Sequence, residues 1–105
     1  MKVRHDPHRR LFVGDLKPYQ ACLLYARRGK ALDFYHIYVP APYRNQGLAA
    51  KILIAAFNYA KKQGYRVIPT CPFIRNDFLP RFSKYQPLVI PGKPGFVFWK
   101  GRSLK

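Results

Sequence analysis

The stretch from Ile37 to Ala49 combines the residue types that a phosphate group needs at the start of a helix. An apolar, aromatic segment ends at a Pro-x-Pro sequence, a short polar loop containing Arg44 follows, and Gly47 then precedes two small alanines. Free N–H groups at a helix start point outward and carry the positive end of the helix dipole. A glycine there lets a phosphate approach the main chain without meeting a Cβ. The pattern indicates a pyrophosphate site, although Arg-x-x-Gly is also common at ordinary helix entries.

A histidine lies just before this stretch. His36 belongs to a predicted strand over residues 31–39, and its ordinary pKa near 6.5 suits a group that takes up and releases protons near neutral pH. Strict alternation places His36 and Tyr38 on one face of the strand and Asp33 on the other, so we discount Asp33 as a base. Because aromatic residues occur on both faces, we expect the strand to be central and covered on both sides. A packed, hydrogen-bonded histidine is the alternative interpretation of His36.

Residues 39–49 resemble the acyl-CoA-binding motif of the GNAT superfamily of N-acetyltransferases. That motif reads Val-x-Pro-x-Tyr/Phe-Arg followed by Gln/Arg-x-x-Gly-x-Gly/Ala, and residues 44–49 (Arg-Asn-Gln-Gly-Leu-Ala) match its second half. The sequence is also similar to a short single-domain subfamily with a His-x-x-Val-Pro strand and a Pro-x-Cys after the following strand. Residues 36–40 and 68–71 carry those two features. Together the matches extend over roughly residues 20–86.

The resemblance implies a mixed α/β (α+β) fold of the minimal GNAT type. Its central sheet is mostly antiparallel, with one β-α-β crossover, and its strands at 31–39 and 65–70 splay apart so that the acyl-pantetheine arm lies in the gap. The order strand, helix, strand predicts the parallel crossover independently. Apolar residues at three- and four-residue steps predict a helix from about 46 to 63, ended by Gly64. The residues predicted to form its apolar stripe are Leu48, Ile52, Ala55, Ala56, Tyr59 and Ala60.

The same resemblance implies that acetyl-CoA or coenzyme A is the cofactor and assigns residues to it. Main-chain groups near Val39 would bond the pantetheine arm, and amides at the helix start would bind phosphates. Asn76 is also the predicted N-cap of a short helix that reaches Tyr85 and is interrupted at Pro80. The cofactor-binding residues predicted in this way are Val39, Arg44, Asn45, Gln46, Gly47, Leu48, Ala49, Lys51 and Asn76.

The predicted catalytic residues are Cys71, His36 and Tyr38. Many GNAT enzymes have a glutamate where Tyr38 lies, and this chain has no glutamate, so the base is His36 or a water relayed through it. Cys71 occupies the characteristic cysteine position of the short subfamily, where it could accept the acetyl group, lie beside the thioester, or be a small buried hydrophobe. Cys22 is predicted to lie in the core. Phenylalanines stand where larger GNAT enzymes often have a tyrosine acid, so the acid stays unassigned.

The whole chain predicts one domain over residues 1–105 with a mobile basic end at about 100–105. Two cysteines far apart predict reduced thiols, and no Cys/His spacing predicts a metal site. No apolar run approaches the roughly 20 residues of a membrane span. The first residues lack a signal sequence, so we expect a cytoplasmic protein. Short strands are predicted at 11–13, ended by a turn at Gly14-Asp15, at 20–26 and at 95–99.

The charge is unusual, because 20 Lys and Arg face four Asp and give a net charge of +16. Such a field attracts polyanions. A phosphorylated cofactor explains only a local basic patch. Nucleic acid, a ribosome or an acidic protein partner would explain the surplus, and so would a general bias toward basic proteins.

These observations predict an acyl-CoA-dependent N-acetyltransferase that acts on an amine of a small molecule or protein. A free polyamine is disfavoured as the acceptor, since like charges repel. The alternatives are a non-catalytic basic module that binds nucleic acid or ribosomes on the same scaffold, and a CoA-binding sensor without a transfer step. Neither the acceptor nor the oligomeric state follows from the sequence.

Overall fold

Within residues 1–90, five strands form one sheet in the same order as they occur along the chain. The computed structural model describes residues 1–90. The strands are β1 (Val3–Asp6), β2 (Leu11–Leu16), β3 (Tyr19–Arg28), β4 (Ala31–Tyr38) and β5 (Arg66–Ile68). The first four pair antiparallel, and β5 pairs parallel to β4. This mostly antiparallel sheet with one crossover is the predicted minimal GNAT-like fold.

The helical segments follow β4 and β5. They are a 3-10 turn (Ala41–Tyr43), helix α1 (Leu48–Gln63), a π-helical turn (Ile74–Phe78), the short helix α2 (Leu79–Arg81) and a 3-10 helix (Ser83–Leu88). Helix α1 ends where predicted, because Gly64 adopts a left-handed φ of 79° and the N–H of Tyr65 returns to the carbonyl of Ala60 at 2.8 Å. In residues 1–90, no helix is both long enough and apolar enough to cross a bilayer.

Helix α1 packs on one face of the sheet and forms the core with it. Its buried residues are Leu48, Ala50, Ile52, Leu53, Ala56, Phe57 and Ala60. The predicted stripe was therefore rotated slightly: Ala55 and Tyr59 are only half-buried, whereas Leu53 and Phe57 are fully buried. Phe57 makes an edge-on contact with Phe34 of β4, with ring centroids 5.3 Å apart.

A β-bulge in β4 changes which residues share a face. Tyr25 of β3 pairs with Phe34, but Leu24 pairs with His36, so Tyr35 is an extra residue without a partner on β3. Simple alternation fails at this point. The prediction that Asp33 lies opposite His36 is therefore wrong, because both residues occupy the face away from α1. The prediction that β4 is covered on both sides is also wrong for residues 35, 36 and 38, which are exposed in the described structure.

Strands β4 and β5 separate as the family resemblance implies. Their pairing extends over three residues of each strand and ends at Asp33 and Ile68. One further bond, from the N–H of Cys71 to the carbonyl of Phe34 at 3.0 Å, closes this end of the gap. Beyond it, β4 continues to Tyr38 without a neighbour on the β5 side among the described residues.

Two further local predictions are wrong, and one strand was missed. Gly14 lies inside β2, not in a turn, and pairs with Val3 of β1. A Cβ on Gly14 would clash with the side chain of Met1. Strand β1 was not predicted at all. Asn76 is not an N-cap, because the carbonyl of Cys71 already accepts N–H bonds from residues 74 and 75 and starts the helical segment earlier. The predicted strand at 95–99 and basic end at 100–105 lie outside the described residues.

An aromatic cluster holds β1 against the rest of the molecule. His5 stacks on Phe12 with centroids 4.2 Å apart, meets Tyr59 of α1 edge-on at 4.4 Å, and lies 2.5 Å from the Tyr25 hydroxyl through Nε2. Burial lowers the pKa of His5 below the ordinary 6.5, and the weaker attraction of Asp6 opposes this shift.

The lowered His5 pKa predicts a stability loss in mild acid. In the unfolded chain His5 takes up a proton near pH 6.5, whereas in the folded chain it does so only at lower pH. The contribution of neutral His5 to the free energy of unfolding is therefore complete above pH 6.5 and is lost as the pH falls below that value. Between pH 7.5 and pH 5.5, the free energy of unfolding measured in urea should fall more for wild type than for His5→Gln. The exposed His8 provides the control, since His8→Gln should leave the pH dependence of wild type intact.

Candidate functional site

The predicted phosphate loop is a compact turn between β4 and α1. The N–H of Tyr43 bonds to the carbonyl of Pro40 at 2.9 Å, and the N–H of Arg44 bonds to that of Ala41 at 3.3 Å. The next residues reverse the chain through two left-handed positions, Asn45 with φ 64° and Gly47 with φ 75°. Asparagine tolerates this conformation better than most residues, and glycine adopts it without strain.

The start of α1 is open and free of negative charge. Gly47 is its N-cap residue, no side chain caps the first turn, and that turn contains no acidic residue. The first N–H that returns to the loop belongs to Lys51 and bonds to the Gly47 carbonyl at 3.3 Å. A Cβ built on Gly47 would meet nothing within 4 Å, so this side of the helix start is open at Gly47. The N–H groups of residues 48–50 therefore face a site where an anion fits.

Cationic and polar side chains surround this helix start. Arg44 folds back over the loop, and its Nε donates to the carbonyl of Val39 at 2.8 Å. Gln46 donates from Nε2 to the carbonyl of Pro42 at 3.5 Å. Both side chains and that of Lys51 are exposed. The Val39 carbonyl therefore already accepts one bond and keeps a second lone pair for another donor.

A buried carboxylate lies where β4 and β5 diverge. Asp33 is 8% exposed, which makes it the one buried charged residue within residues 1–90. Thr70 donates its hydroxyl to Oδ1 at 2.5 Å, and Arg28 donates Nε to Oδ2 at 3.1 Å. Sequence reasoning rejected Asp33 on alternation alone. The signal that could have retained it was an acidic residue within the most apolar strand of the chain.

The structure separates the three predicted catalytic residues. His36 and Tyr38 lie on the same open face as Asp33, and both are exposed. Cys71 is 6% exposed and packs with the hydrophobic core. Cys22 is half-buried beside Tyr38 on the open face, not in the core as predicted, and burial raises the pKa of its thiol.

A sequence model of GCN5-related N-acetyl-transferases matches residues 11–88. The chain belongs to the GCN5-related N-acetyltransferase (GNAT) family. Protein NATD1 of Bos taurus is 34% identical over 91 residues, which cover 84% of this chain and 76% of that protein. Protein NATD1 of Homo sapiens is 32% identical over 91 residues, with the same coverage. The solution structure of a GCN5-like protein of Staphylococcus aureus matches with a TM-score of 0.67 at 20% identity, over 88% of this chain and 90% of that one.

Within residues 69–90 of this GNAT domain, the chain after β5 brings no tyrosine hydroxyl to the gap. Tyr85 is buried, and its hydroxyl donates to Oδ1 of Asn58 on α1 at 2.9 Å. Phe78 and Phe82 stack with centroids 4.8 Å apart. Asn76, a predicted cofactor-binding residue, is exposed within the π-helical turn.

Proposed function

We propose that this GNAT domain transfers an acetyl group from acetyl-CoA to an amine. The open, acid-free start of α1 beside the free edge of β4 is the observation that carries the proposal. The N–H groups of residues 48–50 bind the pyrophosphate, and Arg44 and Lys51 add charge to the phosphates. Leu48 and Ala49 take part through their main chain, while Asn45 and Gly47 hold the turn that exposes these amides.

The pantetheine arm lies along the free edge of β4 in this proposal. An extended ligand can bond to the unpaired main-chain groups of an edge strand as an added strand does. The seven residues from Asp33 to Val39 span roughly 20 Å of extended chain, over six steps of about 3.3 Å. An extended pantetheine arm has about that reach, so a thioester whose phosphates lie at the helix start arrives near Asp33.

We propose Asp33 as the base. It receives a proton from the attacking amine, the amine nitrogen bonds to the thioester carbonyl carbon, and the tetrahedral intermediate collapses with departure of the CoA thiolate. Thr70 and Arg28 fix the carboxylate and leave lone pairs free on both oxygens. His36 is the competing candidate, but its exposed side chain has no hydrogen-bond partner among the described residues to orient it.

The other predicted catalytic residues receive lesser roles. Tyr38 projects from the open face beyond Asp33 and borders the side from which an acceptor amine can approach. The burial of Cys71 in the core supports packing at the closed end of the gap and not a covalent acetyl-enzyme. The bond between the Cys71 N–H and Phe34 gives this residue a structural function that does not need its thiol.

Binding of acetyl-CoA tests the phosphate site through an added charge. Ala49→Glu places a carboxylate in the first turn of α1, where it stabilises the helix by about 0.3–1 kcal/mol but repels a pyrophosphate. In calorimetric titration we expect wild type to bind acetyl-CoA and Ala49→Glu to bind at least about tenfold more weakly, a difference of about 1.4 kcal/mol. The melting temperature of Ala49→Glu should equal or exceed that of wild type.

The matched control is Gln86→Glu, which makes the same charge change at an exposed position remote from the loop. It should bind acetyl-CoA as wild type does. Equal weakening in both variants would mean that only net charge matters, and the absence of wild-type binding at millimolar acetyl-CoA would refute the cofactor site. Binding without acetyl transfer to any amine in a panel of peptides and small amines would identify a CoA sensor instead.

A further inference from the structure

Within residues 1–90, eight of the sixteen Lys and Arg residues lie at the end of the sheet opposite the predicted phosphate loop, which we call the cofactor loop. The β1–β2 turn, the β3–β4 turn, the end of α1 and the start of β5 meet there. The Arg10 carbonyl accepts the N–H of Tyr25 at 3.1 Å, and the Lys30 carbonyl accepts that of Arg66 at 3.0 Å. We name this region the basic end and define it by its Lys and Arg residues. They are Arg9, Arg10, Arg27, Arg28, Lys30, Lys61, Lys62 and Arg66, all of them exposed.

Few of these charges are neutralised within the chain. All four Asp residues of the sequence form ion pairs with arginine. Only two of those pairs involve the basic end: Arg9 with Asp6 at 3.9 Å, and Arg28 with Asp33 at 3.1 Å. The other six cations have no carboxylate partner among residues 1–90. These cations repel one another, and a bound polyanion would lower that repulsion, which favours its binding.

One guanidinium of the basic end is already held in place. Arg27 lies 5.1 Å from the centre of the Tyr65 ring, and its Nε donates to the carbonyl of Gly29 at 3.0 Å. Stacking and this bond fix the plane of the guanidinium and leave its terminal NH₂ groups available. A guanidinium fixed in this way can form the paired hydrogen bonds that phosphate oxygens accept.

Structural roles explain only part of the cluster. Lys61 and Lys62 complement the negative end of the α1 dipole, an effect confined to the last turn of the helix. Arg66 donates to the carbonyl of Pro87. Neither role accounts for Arg10 and Lys30, which are supplied by two different turns at the same end of the sheet.

We propose that the basic end binds the phosphodiester backbone of nucleic acid without reading its sequence. The cations run across the sheet from the β1–β2 turn to β5, a width of roughly 15 Å at about 4.8 Å per strand, which accommodates several consecutive phosphates. Arginine supplies five of the eight cations, and no large apolar side chain is exposed among them. A specific protein interface would have an apolar centre, which this surface lacks, so the phosphate backbone is the better fit.

Anisotropy of a labelled 20-nucleotide RNA, with a DNA of the same sequence in parallel, tests this assignment. The variant Lys30→Gln/Lys62→Gln removes two charges from the basic end. Its control, Lys2→Gln/Lys17→Gln, removes two exposed charges at the opposite end of the sheet and reaches the same net charge. Each lost phosphate contact lowers the slope of log K against log salt by about 0.7. We therefore expect the first variant to lose about 1.4 of slope and to bind about tenfold more weakly in 0.1 M salt.

The control variant should retain the wild-type slope. Saturating acetyl-CoA should not displace the RNA, because the proposed phosphate site lies at the opposite end of the sheet and only Arg28 of the basic end, through its bond to Asp33, lies near the proposed thioester position. If RNA binding were weakened equally in both variants, net charge alone would explain the binding and the proposal would be overturned. Displacement by acetyl-CoA would assign the RNA to the cofactor loop. Failure to bind either nucleic acid in 50 mM salt, or a clear preference for polyglutamate of equal charge, would also overturn it. Equal binding of RNA and DNA supports backbone recognition, whereas preference for RNA adds contacts to the 2′-hydroxyl.

Discussion

Replacing Asp33 by asparagine should lower the kcat of acetyl transfer by roughly 10²–10⁴-fold, the range that a positioned general base contributes. The substitution keeps the shape of the side chain, and the amide oxygen can still accept the Thr70 hydroxyl. Its cost in stability should be small, because Arg28 is 65% exposed and remains solvated when the pair is lost. The KM for acetyl-CoA should change little, since the proposed phosphate site lies at the far end of the gap. Transfer of radiolabelled acetyl from acetyl-CoA to the most active amine of a panel measures both constants.

The control for this experiment is Asp77→Asn, which removes the same charge from an exposed pair with Arg81. It should retain the wild-type kcat. Wild-type turnover in Asp33→Asn, to within a factor of three, would exclude Asp33 as the base. Loss of turnover in His36→Ala under the same conditions would then assign the role to the histidine that the sequence predicts.

Replacing Phe57 by alanine should lower the free energy of unfolding by about 3–5 kcal/mol, which is a large part of the total free energy of unfolding of a domain of this size. Its ring contacts Phe34 at 5.3 Å, Phe78 at 5.4 Å and Tyr85 at 5.2 Å between centroids. It thereby joins α1 to the sheet and to the segment after β5. Truncation removes three aromatic contacts and leaves a cavity that rigid rings cannot close. Chemical unfolding of both proteins measures the difference.

An exposed aromatic residue provides the comparison. Tyr35→Ala removes a ring that is 46% exposed, and its cost should stay below about 1 kcal/mol. If both substitutions lowered the free energy of unfolding by similar amounts, the aromatic cluster around Phe57 would not be the centre of the core. Acetyl-CoA should still bind to folded Phe57→Ala at low temperature, since Phe57 does not reach the phosphate loop.

Features encoded by neighbouring residues were predictable from the sequence. Helix α1, its end at Gly64 and the turn at Gly47 follow from periodicity and from glycine conformation, both of which operate within a few residues. The crossover follows from element order, and the predicted phosphate loop forms a turn directly before α1, where its residue types placed it; phosphate binding there stays a prediction. The family match then confirmed the fold that the motif of residues 39–49 implied.

Features that depend on pairing with distant residues were not predictable. The bulge at Tyr35 exists because β3 and β4 differ by one residue in their register, which no local pattern in β4 reveals. That single residue moved Asp33 to the face of His36 and changed the proposed base. Gly14 resembles a turn residue in its own neighbourhood, but pairing with β1 and β3 places it inside strand β2.

The sheet order has a consequence for how the chain folds. Every strand lies beside the strand that precedes it in sequence, so the first four strands can assemble by successive hairpin closures, each over a short loop with a small entropic cost. Only β5 must wait, because the helical connection has to form and dock before the parallel pairing to β4 can close. The kinetic barrier should therefore lie at this last step, and the gap between β4 and β5 should be among the last parts of the molecule to acquire its native shape.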